Sequence, residues 1–301
     1  GFNFHKKLDI FHPRMIELQK EYAKQLLDRV NPYTKLKYRD DPAIAVVEIN
    51  NENSLVGWPG ESPGAGLDKL PEPYRGMLVA KWNDWLVKKY GSDAALQSAW
   101  KGTNSAGGAS LIGPASKWTY ENQSNASMDF SIGQSAGRGA ASIVADIREV
   151  KGPNWHIQAH IPGLDLKDGQ TYTLRFSAKS DKPRGMGITA NLDKEDWRNC
   201  GLGASATIGP EEKEYLFSFR AHSTEPNHVR IAFVLGEAAS RVEIRNVELL
   251  PGVIAPGVPE GQSLVQKNVD LVGAGITQAS QDYTDFLTDA EKRAAVGYGE
   301  T

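Results

Sequence analysis

The chain has only one cysteine, Cys200, among 301 residues, so it cannot form an intrachain disulfide or a thiolate cluster for zinc. It also lacks any run near the roughly 18 consecutive apolar residues that a membrane-spanning helix needs. Its formal net charge of −3 provides no basic excess to attract nucleic acid. The sequence therefore predicts no disulfide, no membrane span and no nucleic-acid partner.

Hydrophobic residues make up 40% and charged residues 24% of the chain, which is typical of a globular protein. The length permits one large domain or two ordinary ones, and two are favoured. Glycine and proline concentrate between residues 57 and 73 and between 251 and 276, which indicates long loops. The opening Gly-Phe-Asn-Phe-His has neither a methionine nor a signal-peptide pattern, so the chain is interpreted as the interior of a longer protein.

Both ends of the chain carry patterns of an α/β fold. Apolar residues at three- and four-residue spacing predict helices over residues 13–30, 74–90 and 93–100, and again over 282–295. Residues 42–55, after the first helix, begin with a β-branched apolar run and end in three amides around one carboxylate, which predicts a buried strand with polar groups at its carboxyl end. A helix, a loop and a buried strand in this order are expected of a domain built from βα repeats.

The middle of the chain predicts strands instead of helices. Apolar and polar residues alternate, as at Tyr172, Leu174 and Phe176, and a slip of this alternation between Ile244 and Val247 predicts a bulge. Strands at this spacing predict a β-sandwich of the jelly-roll type. The predicted strands cover residues 127–132, 141–149, 155–161, 171–180, 187–192, 214–221, 228–235 and 241–250.

These patterns predict an α+β composite, in which a β-sandwich is inserted into part of a (β/α)8 barrel. The predicted parts are a partial barrel segment over 1–102, a sandwich over 103–252, a linker over 253–281 and a returning barrel helix over 282–301. A complete barrel takes about 250 residues, so the flanks can supply only part of one. The exposed edges of an incomplete barrel predict either association with a second copy of the chain or disorder of the residues outside the sandwich.

Asn51 and Glu52 stand at the end of the predicted strand, in the run Glu-Ile-Asn-Asn-Glu-Asn-Ser-Leu. In a parallel barrel, the carboxyl end of a strand faces the substrate. This run, the helix before it and residues 82–86 after it resemble the middle of bacterial cellulase-like glycoside hydrolases of the family-5 type. The resemblance implies that Glu52 is the general acid/base of a retaining β-glycanase and that Asn51 contacts the sugar.

Retaining hydrolysis needs a second carboxyl group as nucleophile, roughly 5 to 5.5 Å from the first. The sequence offers no second glutamate at a predicted strand end. Asp282, Asp285, Asp289 and Glu291 lie on a helical pattern and are interpreted as a solvated helix face. The chain is therefore predicted to lack the nucleophile of its parent enzyme, and whether it is an enzyme by itself is left open.

Four segments of the predicted sandwich, residues 155–158, 166–176, 229–236 and 242–249, are similar to carbohydrate-binding modules of families 4 and 9. Such modules stack sugar rings on aromatic side chains and bind the hydroxyls with amides and charged groups. In a regular strand, Trp155 and Gln158 would lie on opposite faces. Core packing is the alternative for each tryptophan. The candidate sugar-binding residues are Trp118, Tyr120, Trp155, Trp197 and Arg198.

Modules of this kind often hold a structural calcium ion, for which the last predicted strand offers Asn246 and Glu248. No other cofactor is expected. His156 and His160 are the one histidine pair with a metal-type spacing, but in a strand they would lie about 13 Å apart, so no zinc site is predicted. The resemblance also implies a secreted or periplasmic bacterial protein.

The first function hypothesis is that the chain is the central part of a retaining β-glycanase that binds and cleaves a polysaccharide or oligosaccharide, such as a β-glucan or a mannan. The alternative is a non-catalytic carbohydrate-binding module whose flanks serve only as a docking base. A third hypothesis is an interaction protein in which the sandwich contacts another protein.

Overall fold

The computed structural model describes residues 5–48, 51, 53–57, 63–102, 105–123, 125–134, 139–273 and 275–299. The chain forms two compact units. Unit 1 comprises Gly1–Trp100, Gly257–Ala274 and Gln278–Thr301, and unit 2 comprises Lys101–Pro256 and Gly275–Thr277. No helix among the described residues has the length and apolar content needed to cross a membrane.

The described part of unit 1 is built from helices. They are α1 His5–Phe11, α2 Pro13–Leu27, α3 Tyr74–Tyr90, α4 Asp93–Lys101 and α5 Gln278–Gly299. Pro13 is the first residue of α2, a position where an N–H has no intrahelical partner, and His12 Nδ1 accepts a hydrogen bond from the Met15 N–H at 3.3 Å. Gly91, with φ +72°, ends α3. The helices predicted from the apolar spacing are confirmed.

The core of unit 1 lies around Trp82, which is fully buried on α3. The centroid of its ring lies 5.6 Å from that of Trp85, 5.5 Å from that of Tyr283 and 5.3 Å from that of Phe286. Its indole N–H donates to the Asp270 carbonyl at 3.1 Å, so the polar group of the ring is satisfied. Trp82 is therefore a core residue that joins α3 to α5.

The described residues 42–48 do not form the predicted buried strand. The described residues 44–48 of this run have no regular secondary structure, and Val46 is 83% exposed. A β-branched run becomes a strand when neighbouring strands bind its backbone N–H and C=O groups. Among its described residues, unit 1 has no strand to provide this pairing, and only an isolated bridge joins Val30 and Lys37. The described residues therefore contain no barrel around the sandwich.

Unit 2 contains ten strands in its described residues, arranged in two five-stranded sheets whose neighbours are antiparallel. One sheet has the order β1-β4-β9-β6-β7 and the other has the order β2-β3-β10-β5-β8. The strands are β1 Thr119–Asn122, β2 Met128–Ile132, β3 Ile143–Ile147, β4 Ile157–Leu164, β5 Thr171–Ser180, β6 Arg184–Leu192, β7 Asn199–Ile208, β8 Lys213–Arg220, β9 Val229–Val234 and β10 Ser240–Pro251.

The strand order is that of a jelly roll. Successive strands from β3 to β6, and again from β7 to β10, alternate between the two sheets. Pairing is nested, since β3 pairs with β10, β4 with β9, β5 with β8 and β6 with β7. A sandwich whose strands are wound in this nested way is a jelly roll. The predicted jelly-roll sandwich is confirmed, although the sequence pattern did not predict β1 and β7.

The two sheets share one hydrophobic core. Phe176 on β5 and Phe233 on β9 are fully buried and meet edge to face, with ring centroids 5.0 Å apart. The register of β10 against β5 shifts between Arg245 and Glu248, where Asn246 has φ +53°. This shift confirms the predicted bulge.

Candidate functional site

The sheet β1-β4-β9-β6-β7 carries polar side chains on the face directed away from the core. On β4, Ile157, Ala159 and Ile161 belong to the hydrophobic core. Gln158 and His160 alternate with them and therefore lie on the other face. Both are nevertheless buried, so neighbouring groups cover most of their surface.

Strand pairing extends this face across all five strands. One row of paired residues consists of Thr119, His160, Ala232, Thr189 and Gly203. A second row consists of Glu121, Gln158, Val234, Gly187 and Ser205. We call these two rows, together with the paired residues Arg230 and Asn191, the outer face.

On β6 and β7, the two rows of the outer face carry only short side chains. This part of the outer face therefore lies lower than the rest. Gly187 is important for this shape. A Cβ atom added at Gly187 would lie 3.1 Å from the Val234 Cβ, closer than ordinary van der Waals contact. Glycine therefore lets the backbone of β6 lie close beside Val234 and leaves space above this part of the outer face.

Trp155 stands at one end of the outer face. It lies in a single 3-10 turn, Asn154–His156, directly before β4, and its side chain is 48% exposed. The Gln158 amide donates to the Trp155 carbonyl at 2.6 Å, and the Gly236 N–H donates to the Asn154 carbonyl at 3.0 Å. Trp155 therefore lies in a turn before β4 and not in the strand itself, so the alternation of a regular strand does not extend to it.

Trp197 stands at the other end. It lies between β6 and β7 with φ +47°, and its side chain is 49% exposed. The Arg230 guanidinium carbon lies 4.5 Å from the centroid of the Trp197 ring, a cation–π contact. Arg230 is four residues from Val234, the partner of Gln158, so the two ends are separated by about 13 Å or more along β9.

Arg198, the neighbour of Trp197, anchors the loop and does not join Arg230. Its guanidinium donates to Asp196, to Glu225 at 2.7 Å and to the Ser223 carbonyl at 3.0 Å. Hydrogen bonds from Arg198 to Asp196 and Glu225 raise the pKa of its guanidinium. These contacts tie the Trp197 turn to the loop between β8 and β9.

A cluster of charged groups lies beneath Trp197. Arg230 is 7% exposed, and its Nη1 lies 2.7 Å from Glu121 Oε1 and 3.4 Å from Asp193 Oδ1. His160 Nδ1 lies 3.8 Å from the same Glu121 oxygen. Burial and the Arg230 charge lower the pKa of His160, so its imidazole is neutral near pH 7.

The pKa of Glu121 is shifted by opposing causes. Burial by itself would raise it, but hydrogen bonds from Gln123 and Arg230 outweigh burial, and the pKa is lowered overall. Glu121 is therefore ionised at neutral pH and holds Arg230 in place.

Two buried polar atoms of the outer face, His160 Nδ1 and Arg230 Nε, have no hydrogen-bond partner. Buried polar atoms are nearly always paired in native proteins, because leaving one unpaired costs about 1 to 3 kcal/mol. Both atoms belong to residues of β4 and β9, between Trp155 and Trp197.

The structure does not bring Trp118 and Tyr120 to this face. Trp118 is buried, donates its indole N–H to the Ala141 carbonyl at 2.6 Å and packs against Phe233. The exposed ring of Tyr120 stacks on Phe130 with centroids 4.7 Å apart, at the edge where β1 and β2 meet. Core packing, the alternative for the tryptophans, therefore applies to Trp118.

His160, Arg230, Glu121 and Asp193 were not among the sequence candidates. Polar residues inside the otherwise apolar segments of β4 and β9 are the signal that could have identified His160 and Arg230. Glu121 and Asp193 carry no such signal, because only strand pairing and loop folding place them beside Arg230.

The predicted acid/base, Glu52, lies outside the described residues. Asn51 is described and exposed. Nearby, Glu291 of α5 accepts hydrogen bonds from the Ser54 hydroxyl at 2.7 Å and from the Val56 N–H at 3.0 Å. The interpretation of the acidic residues of α5 as a solvated face is wrong for Asp282, which is fully buried.

Glu248, a candidate calcium ligand, forms an ion pair with Arg175, whose Nη2 lies 2.7 Å away. The other candidate, Asn246, occupies the bulge of β10. In the part of the chain that the structure describes, no group of three or more His, Cys, Asp or Glu side chains is placed to hold a metal ion.

No protein-family model matches the chain, and no curated protein matches it. Solved structures with a similar fold include carbohydrate-binding modules. A CBM4 structure is 20% identical, with a TM-score of 0.40, over 52% of this chain and 99% of its own. The second N-terminal cellulose-binding domain of β-1,4-glucanase C from Cellulomonas fimi is 19% identical, with a TM-score of 0.37, over 48% of this chain and 92% of its own.

A family 11 carbohydrate-binding module of the cellulosomal cellulase Lic26A-Cel5E from Clostridium thermocellum is also similar. It is 14% identical, with a TM-score of 0.35, and the match covers 50% of this chain and 97% of that module.

Proposed function

We propose that unit 2 binds a polysaccharide chain on the outer face, with Trp155 and Trp197 stacked on sugar rings and with Gln158, His160 and Arg230 bound to hydroxyls. The observation that carries the proposal is the placement of two half-exposed tryptophans at opposite ends of the outer face, which contains unpartnered buried polar atoms. Secretion and a plant polysaccharide such as a β-glucan or a mannan as the ligand are part of the same proposal.

The chemistry of the outer face suits a sugar. A pyranose ring has apolar C–H faces, which stack on an indole, and an edge of hydroxyls, which pair with amides, imidazoles and guanidinium groups. The short side chains on β6 and β7 leave space for the rings. The separation of about 13 Å or more between the two ends favours an oligosaccharide or a polysaccharide over a single sugar.

Substitution of either tryptophan is expected to weaken glycan binding. Trp155→Ala and Trp197→Ala should each lose about 2 kcal/mol of binding free energy, or roughly thirtyfold in Kd, because each removes a stacking surface. Isothermal titration calorimetry with soluble β-glucan, xylan and mannan oligosaccharides measures this loss.

Tyr33→Ala is the matched control, because Tyr33 is an aromatic residue of unit 1 that is 91% exposed and lies far from the outer face in sequence. It should bind as the unmodified chain does. Equal Kd values for the unmodified chain and both tryptophan variants would contradict the proposal, and would favour the hypothesis of an interaction protein.

Gly236→Ala is expected to weaken binding through Trp155. A Cβ atom at Gly236 would lie 2.3 Å from the Asn154 carbonyl oxygen, so the turn that presents Trp155 must move. We expect roughly a tenfold increase in Kd with the fold retained, measured by calorimetry and circular dichroism. Gly209→Ala is the control, because nothing lies within 4 Å of a Cβ atom there. Unchanged affinity of Gly236→Ala would show that the position of this turn does not matter for binding.

The second candidate function is that of the parent enzyme, a retaining β-glycanase with Glu52 as acid/base and Asn51 as a sugar contact. The Asn-Glu pair in the sequence is the observation that favours it. Reducing-sugar release by the chain and its loss in Glu52→Gln would support catalysis. Retained glycan binding in Glu52→Gln, without hydrolysis by the unmodified chain, would support the non-catalytic binding module.

A further inference from the structure

His160 is a buried titratable residue at the centre of the outer face. It lies on β4 between Thr119 of β1 and Ala232 of β9, and its side chain is one of the least exposed polar groups there, with 5% of the residue exposed. The charged groups that face it are Glu121 from β1, Arg230 from β9 and Asp193 from the loop after β6. None of them donates or accepts a hydrogen bond at its Nδ1 atom.

We propose that His160 is a ligand-contacting residue whose neutral imidazole accepts a hydrogen bond from a sugar hydroxyl, so that glycan binding weakens when the ring is protonated. This proposal rests on the proposed function, since it concerns the same surface. It adds a residue that determines how the surface responds to pH.

The geometry explains why the two protonation states differ. In the neutral ring one of the two nitrogens carries no proton, and this nitrogen can accept a hydrogen bond from a hydroxyl. In the charged ring both nitrogens carry protons and can only donate. Glu121 Oε1, at 3.8 Å, is then the acceptor towards which the protonated ring is drawn. Protonation of His160 therefore removes the nitrogen that accepts a hydrogen bond from the ligand. It also favours an interaction of the ring with Glu121 instead.

Glycan affinity is expected to fall at low pH, because the neutral form of His160 is the form that binds the ligand. Burial and the Arg230 charge already lower the pKa of His160 from 6.5, and a hydroxyl bound to the neutral ring lowers it further. Affinity should therefore be constant at pH 7 to 8 and should fall as the pH drops through the pKa of the free protein, which lies below 6.5.

The test compares the whole chain with His160→Gln and His222→Gln between pH 4.5 and 8, using the β-glucan or mannan oligosaccharide bound most tightly in calorimetry. Glutamine keeps a hydrogen-bonding amide but does not titrate in this range. We expect the unmodified chain to bind about tenfold more weakly once His160 is protonated, which is the loss of about one hydrogen bond. His222 is an exposed histidine in the loop after β8, so His222→Gln should keep the full pH response.

His160→Gln is expected to bind more weakly than the unmodified chain at pH 8, because it changes a ligand contact, and its remaining affinity should not vary with pH. The imidazole carbon resonances of His160 provide a second measurement, since ligand saturation should move its titration midpoint to lower pH. The same pH response in His160→Gln and in the unmodified chain, or a midpoint unmoved by ligand, would overturn the proposal while leaving the proposed function intact. Failure of the unmodified chain to bind any glycan at pH 8 would overturn both.

Discussion

Asp282→Ala is expected to destabilise unit 1 by about 3 to 5 kcal/mol, because the substitution leaves four donors without their acceptor. Asp282 is fully buried on α5. Its Oδ2 accepts from the Tyr90 hydroxyl at 2.6 Å and the Trp100 indole N–H at 2.8 Å. Its Oδ1 accepts from Lys89 Nζ at 2.9 Å and the Gln278 amide at 2.7 Å. A single carboxylate thus holds α3, α4 and α5 together.

The same network predicts an acid sensitivity. Burial by itself would raise the pKa of Asp282, but hydrogen bonds from Tyr90, Lys89 and Trp100 outweigh it and lower the pKa below the ordinary 3.8. The stabilisation is therefore present above pH 3.8 and is lost as the pH falls through the lower pKa of the folded state. Asp282→Ala should lack this part of the acid unfolding transition.

Hydrogen exchange of peptides from α3 and α5, measured against urea, reports the stability of unit 1 directly. Asp285→Ala is the matched control, because Asp285 lies less than one turn away, has a side chain that is 44% exposed and lies 3.5 Å from the same Lys89. An exposed pair of this kind is worth about 0 to 1 kcal/mol. Equal protection in the two variants would show that the buried network does not stabilise unit 1.

Asp282 also shows where interpretation of the sequence failed on α5. Acidic residues at positions 282, 285, 289 and 291 suggested a solvated face. The apolar stripe of the helix, however, runs through Tyr283, Phe286 and Leu287, and Asp282 is four residues before Phe286, on the same stripe. An acid within an apolar stripe indicates a buried carboxylate with partners. Those partners come from α3 and α4, which the sequence of α5 cannot identify.

The helices and most strands could be predicted, since their periodicity is local. β7 was missed because its glycines and small residues weaken the strand signal, although Cys200, Leu202 and Ile208 keep the alternation. The strand prediction failed in the opposite way over the described residues 42–48. Their β propensity is high, but a strand depends on neighbours, and in the described part of unit 1 no strand is available to pair with it.

The candidate site could be predicted only in part, because it depends on which strands are neighbours. Trp155 and Trp197 were two of the five candidate sugar-binding residues, and both are half-exposed at opposite ends of the sheet β1-β4-β9-β6-β7. Their common face follows from the pairing of β4, β9 and β6, which the sequence does not specify. The role of Arg230 depends entirely on this pairing.

Arg230→Met is expected to reduce glycan affinity by about a hundredfold, the larger of the expected effects on binding. Methionine keeps an apolar stem but removes the guanidinium that lies under the Trp197 ring and neutralises Glu121 and Asp193. The two carboxylates then repel each other, and the pKa of Glu121 rises because the Arg230 hydrogen bond no longer lowers it. Trp197 loses the group that fixes its ring, and the ligand loses the Nε donor.

Arg175→Met separates this effect from the general cost of breaking a half-buried ion pair. Arg175 lies on β5 in the other sheet and donates to Glu248 at 2.7 and 3.0 Å, with a side chain that is 24% exposed. Both variants should lose stability, measured by urea unfolding, because each leaves a carboxylate without its cation. Only Arg230→Met should lose affinity in calorimetry at pH 7. If the two variants bound glycan equally well, Arg230 would be a structural residue of the sheet and the ligand would have to lie elsewhere on the sandwich.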